Sequence, residues 1–558
     1  MPSRTRWCLA LGWLVSLTVA LAAAPGAVAQ GTSVSHASAV TGTATPAGTT
    51  AAPNATVAAS SSASGAAPTR GVRRIPRASG TAAPLVSATP RPDGSALAAA
   101  PPSLLANFNG VSSRDSAVTN FGQEFEPPDQ GLCVGNGYVV EMVNSAYTVY
   151  RPDGSVVTGP FNVNGPFDEG LTEFTSDPRC QYDAATHTWF AVILFINSAS
   201  TQSRIDLAVN TSGDPTTPWT DYQIDTTDTG GKTGPKHPGC PCLGDQPTLG
   251  IDPFNVYVTT NEFSLQGPQF NGAQIYAVAK SELVPAGPTA TPAHVVHFDK
   301  LGIGGTVAAS VQPALTSGNP AAEYFLNSLD PNGTFDQRIG VWAMTNRGAV
   351  ATGGKPTLSS LVLGSEAYGI PPAAEQKGAS SLLDAGDDRM QQTQFINGDV
   401  WGELGTSVTI PNDSAARAGA AWFDVHPSLS NGVLNAATMR RQGYVALAGN
   451  YLLYPALQAT PAGNAAMVMT LSGPGHFPSA AYSVMPSGAS SFGPVTVAAA
   501  GHGNYDPAAT RWGDYSWAVL DPSGTSVWMA TEYIPPKASQ TPDGLRNWGT
   551  RVLDLAIH

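Results

Sequence analysis

From Leu104 to the C-terminus, short runs of β-branched and aromatic residues alternate with turns rich in Gly, Pro, Asp and Asn. Such runs are strand-length and too short for helices. A loose repeat organises them. Similar starts occur at Asp129-Gln130-Gly131, Asp177-Pro178-Arg179, Asp245-Gln246-Pro247, Gln312-Pro313-Ala314, Asp388-Arg389, Asn450-Tyr451 and Asp514-Tyr515-Ser516. In several units a turn residue follows the first strand (Asn136, Asp183, Asp252, Asn319, Asp521). A second strand comes next, as at 138–143, 189–196, 256–260 and 527–531, and then a third, as at 147–150, 205–209 and 275–278. Each unit reads as a four-stranded meander. One such sheet cannot bury both faces, so neighbouring units must stack. The pattern predicts an all-β fold, a seven-bladed β-propeller over residues 103–558, with six and eight blades as the adjacent counts. After Asp514 only three strands remain. Residues 104–108 are expected to supply the fourth, closing the ring and protecting its edges.

The pattern is different before residue 103. Arg4 and Arg6 precede an apolar run over 7–24, and Ala27-Val28-Ala29 offers a small-x-small cleavage site before Gln30. This is the layout of an export signal, and Pro25-Gly26 breaks the run before it reaches the length of a membrane span. Residues 1–29 are therefore expected to be a signal peptide. Residues 30–102 are almost wholly Ala, Ser, Thr, Gly, Pro and Val, with a small basic patch from Arg70 to Arg77. They have little to bury, and a disordered linker is expected.

Composition narrows the partners. Charged residues make up 12% of the chain, the formal net charge is −13, and no Lys/Arg cluster or basic helix occurs, which argues against nucleic acid and anionic membrane. No later stretch is apolar for long enough to span a bilayer. A secreted monomer is the expectation. Beyond the signal stand Cys133, Cys180, Cys240 and Cys242, which in an exported chain point to two disulfides. Cys133 and Cys180 follow equivalent Asp residues in consecutive units, so their strands should be neighbours and the two should pair. Cys240 and Cys242 are left to each other. Zinc held by Cys240 and Cys242 is disfavoured by the Cys-Pro-Cys spacing.

Three segments carry a resemblance. They are Cys242-Leu243-Gly244-Asp245-Gln246-Pro247 with Val258-Thr259-Thr260-Asn261-Glu262-Phe263, then Gly443-Tyr444-Val445-Ala446 with Leu453-Tyr454-Pro455-Ala456, then Arg511-Trp512-Gly513-Asp514-Tyr515-Ser516 with Trp528-Met529-Ala530-Thr531-Glu532-Tyr533. Together they resemble a family of exported bacterial β-propeller proteins with no assigned activity. The resemblance implies the propeller fold and export. A looser likeness is to sialidase-type propellers, but the Ser-x-Asp-x-Gly-x-Thr-Trp box and a recognisable arginine triad are both missing.

In a propeller the innermost strands line the axis, so Asp129, Asp177, Asp245, Asp388 and Asp514 are expected to gather at one rim. Like charges so placed raise one another's pKa or bind a cation. Glu262 and Glu532 occupy matching places in second strands, with Glu141 a further candidate. Arg389 is placed to neutralise the rim or grip a carboxylate. Tyr515 and Trp512 beside Asp514 suggest a stacking surface for a sugar ring. The histidines do not cluster along the chain, and His237, His476 and His502 read as surface-loop residues. No H-E-x-x-H, P-loop, G-x-S-x-G or dinucleotide fingerprint occurs. No cofactor or catalytic metal is expected, a structural cation such as calcium being the only addition considered. The expected function is binding of an extracellular ligand, a polysaccharide first, at an acidic channel mouth. The alternative is a glycoside hydrolase or polysaccharide lyase using the same carboxylates.

Overall fold

A computed structural model describes residues 28–30, 37–50 and 102–557, apart from 231–233, 285–289, 331–332, 334, 506–510 and 541–546. The chain is an all-β propeller. Among the described residues, strands pair into seven four-stranded antiparallel meanders, spanning 131–162, 174–225, 242–299, 312–368, 390–445, 451–499 and 517–556, the last completed by Ser103–Ser112. The first strands (Gly131–Gly135, Phe174–Asp183, Cys242–Ile251, Gln312–Thr316, Met390–Ile396, Tyr451–Ala459, Trp517–Leu520) each touch the next in order, and the seventh returns to the first. Neighbouring first strands run parallel, as Ala314–Thr316 beside Thr393–Phe395 shows.

Strand sequence explains the stacking. Thr188–Ile196 reads TWFAVILFI and is buried throughout. Successive side chains point to opposite faces of a sheet. Phe190, Val192, Leu194 and Ile196 accordingly pack in one core with Leu249 and Val258 of the third meander, while Trp189, Ala191 and Ile193 pack in another with Cys133 and Val149 of the first. One strand thus serves two interfaces, so it lacks the polar alternation of a half-exposed strand.

Closure follows the expected scheme. Ser103–Ser112 pairs with Gly549–Ala556, Arg551 donates to Asn107 Oδ1 at 2.6 Å, and the Phe108 ring packs 5.2 Å from that of Tyr150. The axis is not an open tube. Gln392 donates across to the carbonyl of Ala518 and accepts from its amide, and Leu315 packs with Leu132 and Trp517. Contacts therefore cross the axis between inner strands that are not neighbours.

Cys133–Cys180 and Cys240–Cys242 are both disulfide-bonded, the first joining the inner strands of adjacent meanders. The cysteines are thus not thiolate ligands. Among the described residues no helix is long and apolar enough to cross a membrane.

One part of the expected linker departs from the sequence reading. Ser38–Thr49 is a strand that lies along the outer edges of two meanders, pairing with Ala293–Asp299 through residues 38–44 and with Thr220–Asp225 through residues 45–49. Its composition offers little to bury, but an edge strand needs only a backbone partner. Val28–Gln30 likewise pairs with residues 436–438, straddling the expected cleavage position. The rest of the expected signal peptide and linker lies outside the described residues.

Candidate functional site

The first strands begin with a shared irregularity. Register slips between Ser176 and Arg179, between Asp245 and Thr248 and between Leu453 and Ala456, and at each slip one non-glycine residue has left-handed φ: Asp177 (60°), Gln246 (50°) and Tyr454 (48°). All three precede proline, so the equivalent triplets are Ser176-Asp177-Pro178, Asp245-Gln246-Pro247 and Leu453-Tyr454-Pro455. This corrects the sequence alignment by one residue: Asp177 corresponds to Gln246, not to Asp245. Left-handed φ costs a non-glycine residue of order 1–3 kcal/mol and persists where its surroundings hold it.

What holds these residues is a relay of hydrogen bonds around the mouth. Asn144 donates to Asp129 Oδ2 at 2.8 Å, and its own carbonyl oxygen accepts the Asp177 amide at 2.6 Å. Asp177 Oδ2 accepts the Gln246 amide at 3.1 Å. Gln246 Oε1 accepts from Arg389, which grips Asp387 bidentately at 2.7 and 2.8 Å. Arg511 pairs with Asp514, whose side chain keeps 33% of its surface exposed. The relay thus joins the first, second, third and fifth meanders, and Asp514 stands beside it from the seventh.

The electrostatics follow from the crowding. Burial, then the charges of Asp514 and Asp177, push the Asp129 carboxyl well above the usual carboxylate range. Asp514 rises to about 6 because it is recessed, although Arg511 and Arg389 oppose the rise. Burial also pushes Glu532 up, reinforced by Asp129, Glu126 and Asp514. Arg389 is held above its ordinary value, against burial, by Asp387, Asp514 and Asp245. Beneath them Arg179 is fully buried, and none of its guanidinium nitrogens has a hydrogen-bond partner among the described residues. Its charge lies 3.1 Å from the Tyr515 ring centroid and 4.3 Å from that of Trp517, a cation–π sandwich.

Of the expected rim residues, Asp129, Asp177, Asp245, Arg389 and Asp514 share this mouth, and Glu532 lies buried below it. Tyr515 and Trp512 are corrected. Both are buried, and Tyr515 carries Arg179 on its face, so neither offers a stacking surface to solvent. Asp388 is buried, and Asp387 beside it takes the pairing with Arg389. Glu141 is a seam residue that accepts the Val111 amide of the closing strand at 2.8 Å. Sequence reasoning missed Asn144, Gln246, Arg179 and Arg511. Gln246 was legible in the shared X-Pro step, whereas Asn144 and Arg179 carry no signal until the ring is closed.

Glu262 belongs elsewhere. It lies near the C-terminal end of the second strand of the third meander, opposite Gly244, where its carboxylate faces His237 Nδ1 at 2.8 and 3.0 Å and accepts from Asn271 at 2.6 Å. His237 Nε2 lies 2.8 Å from Asp299 and Nδ1 lies 3.4 Å from Asp228. His237 is therefore a buried hub and not a surface-loop residue. Burial alone would lower its pKa, but Asp228, Asp299 and Glu262 raise it to about 11.

The chain matches no known family model and no curated protein. Among solved structures, several show a weak similarity. An α-L-arabinofuranosidase of Fusarium graminearum bound to arabinobiose is 10% identical, covering 80% of this chain and 97% of its own, with a TM-score of 0.33. An α-L-arabinanase of Penicillium chrysogenum is also 10% identical, covering 81% and 99%, at 0.33. The parainfluenza virus 5 hemagglutinin-neuraminidase ectodomain is 8% identical, covering 69% and 82%, at 0.32. Likenesses this distant do not carry an activity to this chain.

Proposed function

We propose that the protein is exported and that its axial mouth binds an extracellular carbohydrate. One observation carries the reading: Asp514, with 33% of its side chain exposed, stands beside a relay of carboxylates, amides and guanidinium groups that joins four meanders. Such a surface has fixed acceptors and donors, with more carboxyls than guanidinium groups. It suits a polyol, whose hydroxyls both donate and accept. The two disulfides fit an oxidising compartment.

A second reading is hydrolysis at the same mouth. Asp514 near pH 6, beside other carboxyls, is the kind of proton holder that glycosidic cleavage uses. A reducing-sugar assay on a polysaccharide panel, run beside affinity electrophoresis on the same polymers, separates the two. Retardation without release of sugar ends supports binding, and release that Asp514→Asn abolishes supports hydrolysis. If the folded protein neither binds nor cleaves any polymer, the carbohydrate assignment fails.

A further inference from the structure

We propose that Asp228, His237 and Glu262 form a divalent-cation site of the zinc class, separate from the axial mouth. The three offer ligand atoms that lie within 4.8 Å of one another, and all three residues are buried. Tetrahedral zinc with bonds of about 2.0–2.2 Å needs ligand atoms roughly 3.3–3.5 Å apart. Nδ1 of His237 to Asp228 Oδ2 is 3.4 Å, and Nδ1 to the nearer Glu262 oxygen is 2.8 Å, so a small opening of the second contact admits the ion.

The surroundings favour a dication over a proton. Asp228 is 3% exposed, and its Oδ2 has no hydrogen bond among the described residues beyond the long 3.4 Å ion pair with His237 Nδ1, a weakly satisfied state for a buried carboxylate. Three acids, Asp228, Glu262 and Asp299, face one imidazole. A protonated His237 leaves an excess of buried negative charge, which Lys300, 3.6 Å from Asp299, only partly relieves. A dication between a neutral imidazole, Asp228 and Glu262 balances that set. His297, the other nearby histidine, stacks on Tyr276 and hydrogen-bonds Gln274 at 2.9 Å, so it does not compete as a ligand.

The outer contacts are those of a metal-bound histidine. When Nδ1 ligates, Nε2–H must donate elsewhere, most often to a carboxylate that fixes ring and tautomer. Asp299, 2.8 Å from Nε2, is in that position. Asn271 donates to Glu262 Oε1 at 2.6 Å and steadies the second ligand. His237 and Asn271 also line an open pocket of about 680 Å³, bounded by Phe270, Lys300 and the 302–307 hairpin, which gives an ion a way in.

The test uses the full mature chain, dialysed against a chelator and titrated with Zn²⁺ alone. Calorimetry and metal analysis should give one zinc per chain, with a rise in Tm on loading. Asp228→Asn, which keeps the side chain's shape but removes its charge and one acceptor oxygen, should weaken zinc at least tenfold, and His237→Gln should abolish uptake. Asp514→Asn should bind zinc as the wild type does, which separates this site from the mouth. Should His237→Gln fail to fold, Asp228→Asn decides alone. Absence of saturable zinc uptake by the folded wild type, or equal uptake by the Asp228 variant, overturns the proposal.

Discussion

A chain that begins at residue 113 is expected to lose its cooperative melting transition or to melt far below a chain that begins at residue 102. The two differ by the closing strand Ser103–Ser112, which lies antiparallel to Gly549–Ala556. Without it the backbone groups of Gly549–Ala556 are left as an open edge. Asn107 and Asn109 also hold Arg551, and Tyr533 donates to Asn109. At roughly 0.5–1.5 kcal/mol net per hydrogen bond, losing the ladder costs on the order of 5 kcal/mol, a large part of the stability of most domains. Among the described residues, the chain starting at residue 102 loses the outer strand Ser38–Thr49 and the short Val28–Gln30 pairing, and a smaller fall in Tm is expected there. Thermal unfolding of both, beside the mature chain, checks the ranking. Equal Tm for the two truncations would contradict the closure.

Stability is expected to fall as pH rises from about 5 to 8, the reverse of ordinary acid denaturation. Burial raises Glu141 to about 7, with Thr550 and Val111 opposing. Burial likewise raises Asp228, Asp424, Asp514 and Asp554 to about 6. A carboxyl whose folded pKa lies above its unfolded one holds a proton that the unfolded chain has released, so folding weakens as pH climbs through the folded value. In the chelated, zinc-free chain His237, raised to about 11, acts in the same direction: its contribution is full below its unfolded pKa near 6.5 and drains away above it. Asp299 and Asp413 are held below the usual range, chiefly by His237 and Arg417, and their contributions are lost on the acid side. A stability maximum near pH 4–5 results. Glu141 alone accounts for about 3 kcal/mol between pH 5 and 8, at 1.36 kcal/mol per unit for a fully buried group. Glu141→Gln keeps an acceptor for the Val111 amide and removes the titration. Denaturant melts at pH 5 and 8 should show the wild type losing more than this variant by about that amount. Parallel losses would refute the assignment.

The architecture was legible because stacked meanders impose two demands on sequence. Both faces of a second strand must be apolar, as in Thr188–Ile196, and the ring must close, which exposed the missing strand after Asp514. The Ser38–Thr49 strand was not legible. Its pairing is backbone to backbone, and Ala, Thr and Gly give no hydrophobic signature. The mouth was half legible. Asp129, Asp177 and Asp514 recur at strand starts, but the phase of the repeat is set by the left-handed residue before proline and not by the acid. Glu262 and Glu532 occupy matching sequence positions yet part company. Glu532 packs toward the axis near Asp129 and Asp514, whereas Glu262 meets His237 on a segment from outside the repeat. Long-range partners such as Asn144 with Asp177, or Arg179 with Tyr515, exist only once the ring is formed.

The sugar-binding mouth rests most directly on Asp514. Titration calorimetry of the wild type and Asp514→Asn, with the oligosaccharide of the best-retained polymer, measures its part. The carboxylate is the form that accepts two hydroxyl hydrogen bonds, and Asp514 ionises near pH 6. Wild-type affinity should therefore tighten between pH 5 and 7 by up to about tenfold, following the rise in the ionised fraction. Asp514→Asn should bind weakly at both pH values with its Tm preserved. Equal affinity of the two proteins at pH 7, with the same pH profile, would contradict a ligand site at this mouth.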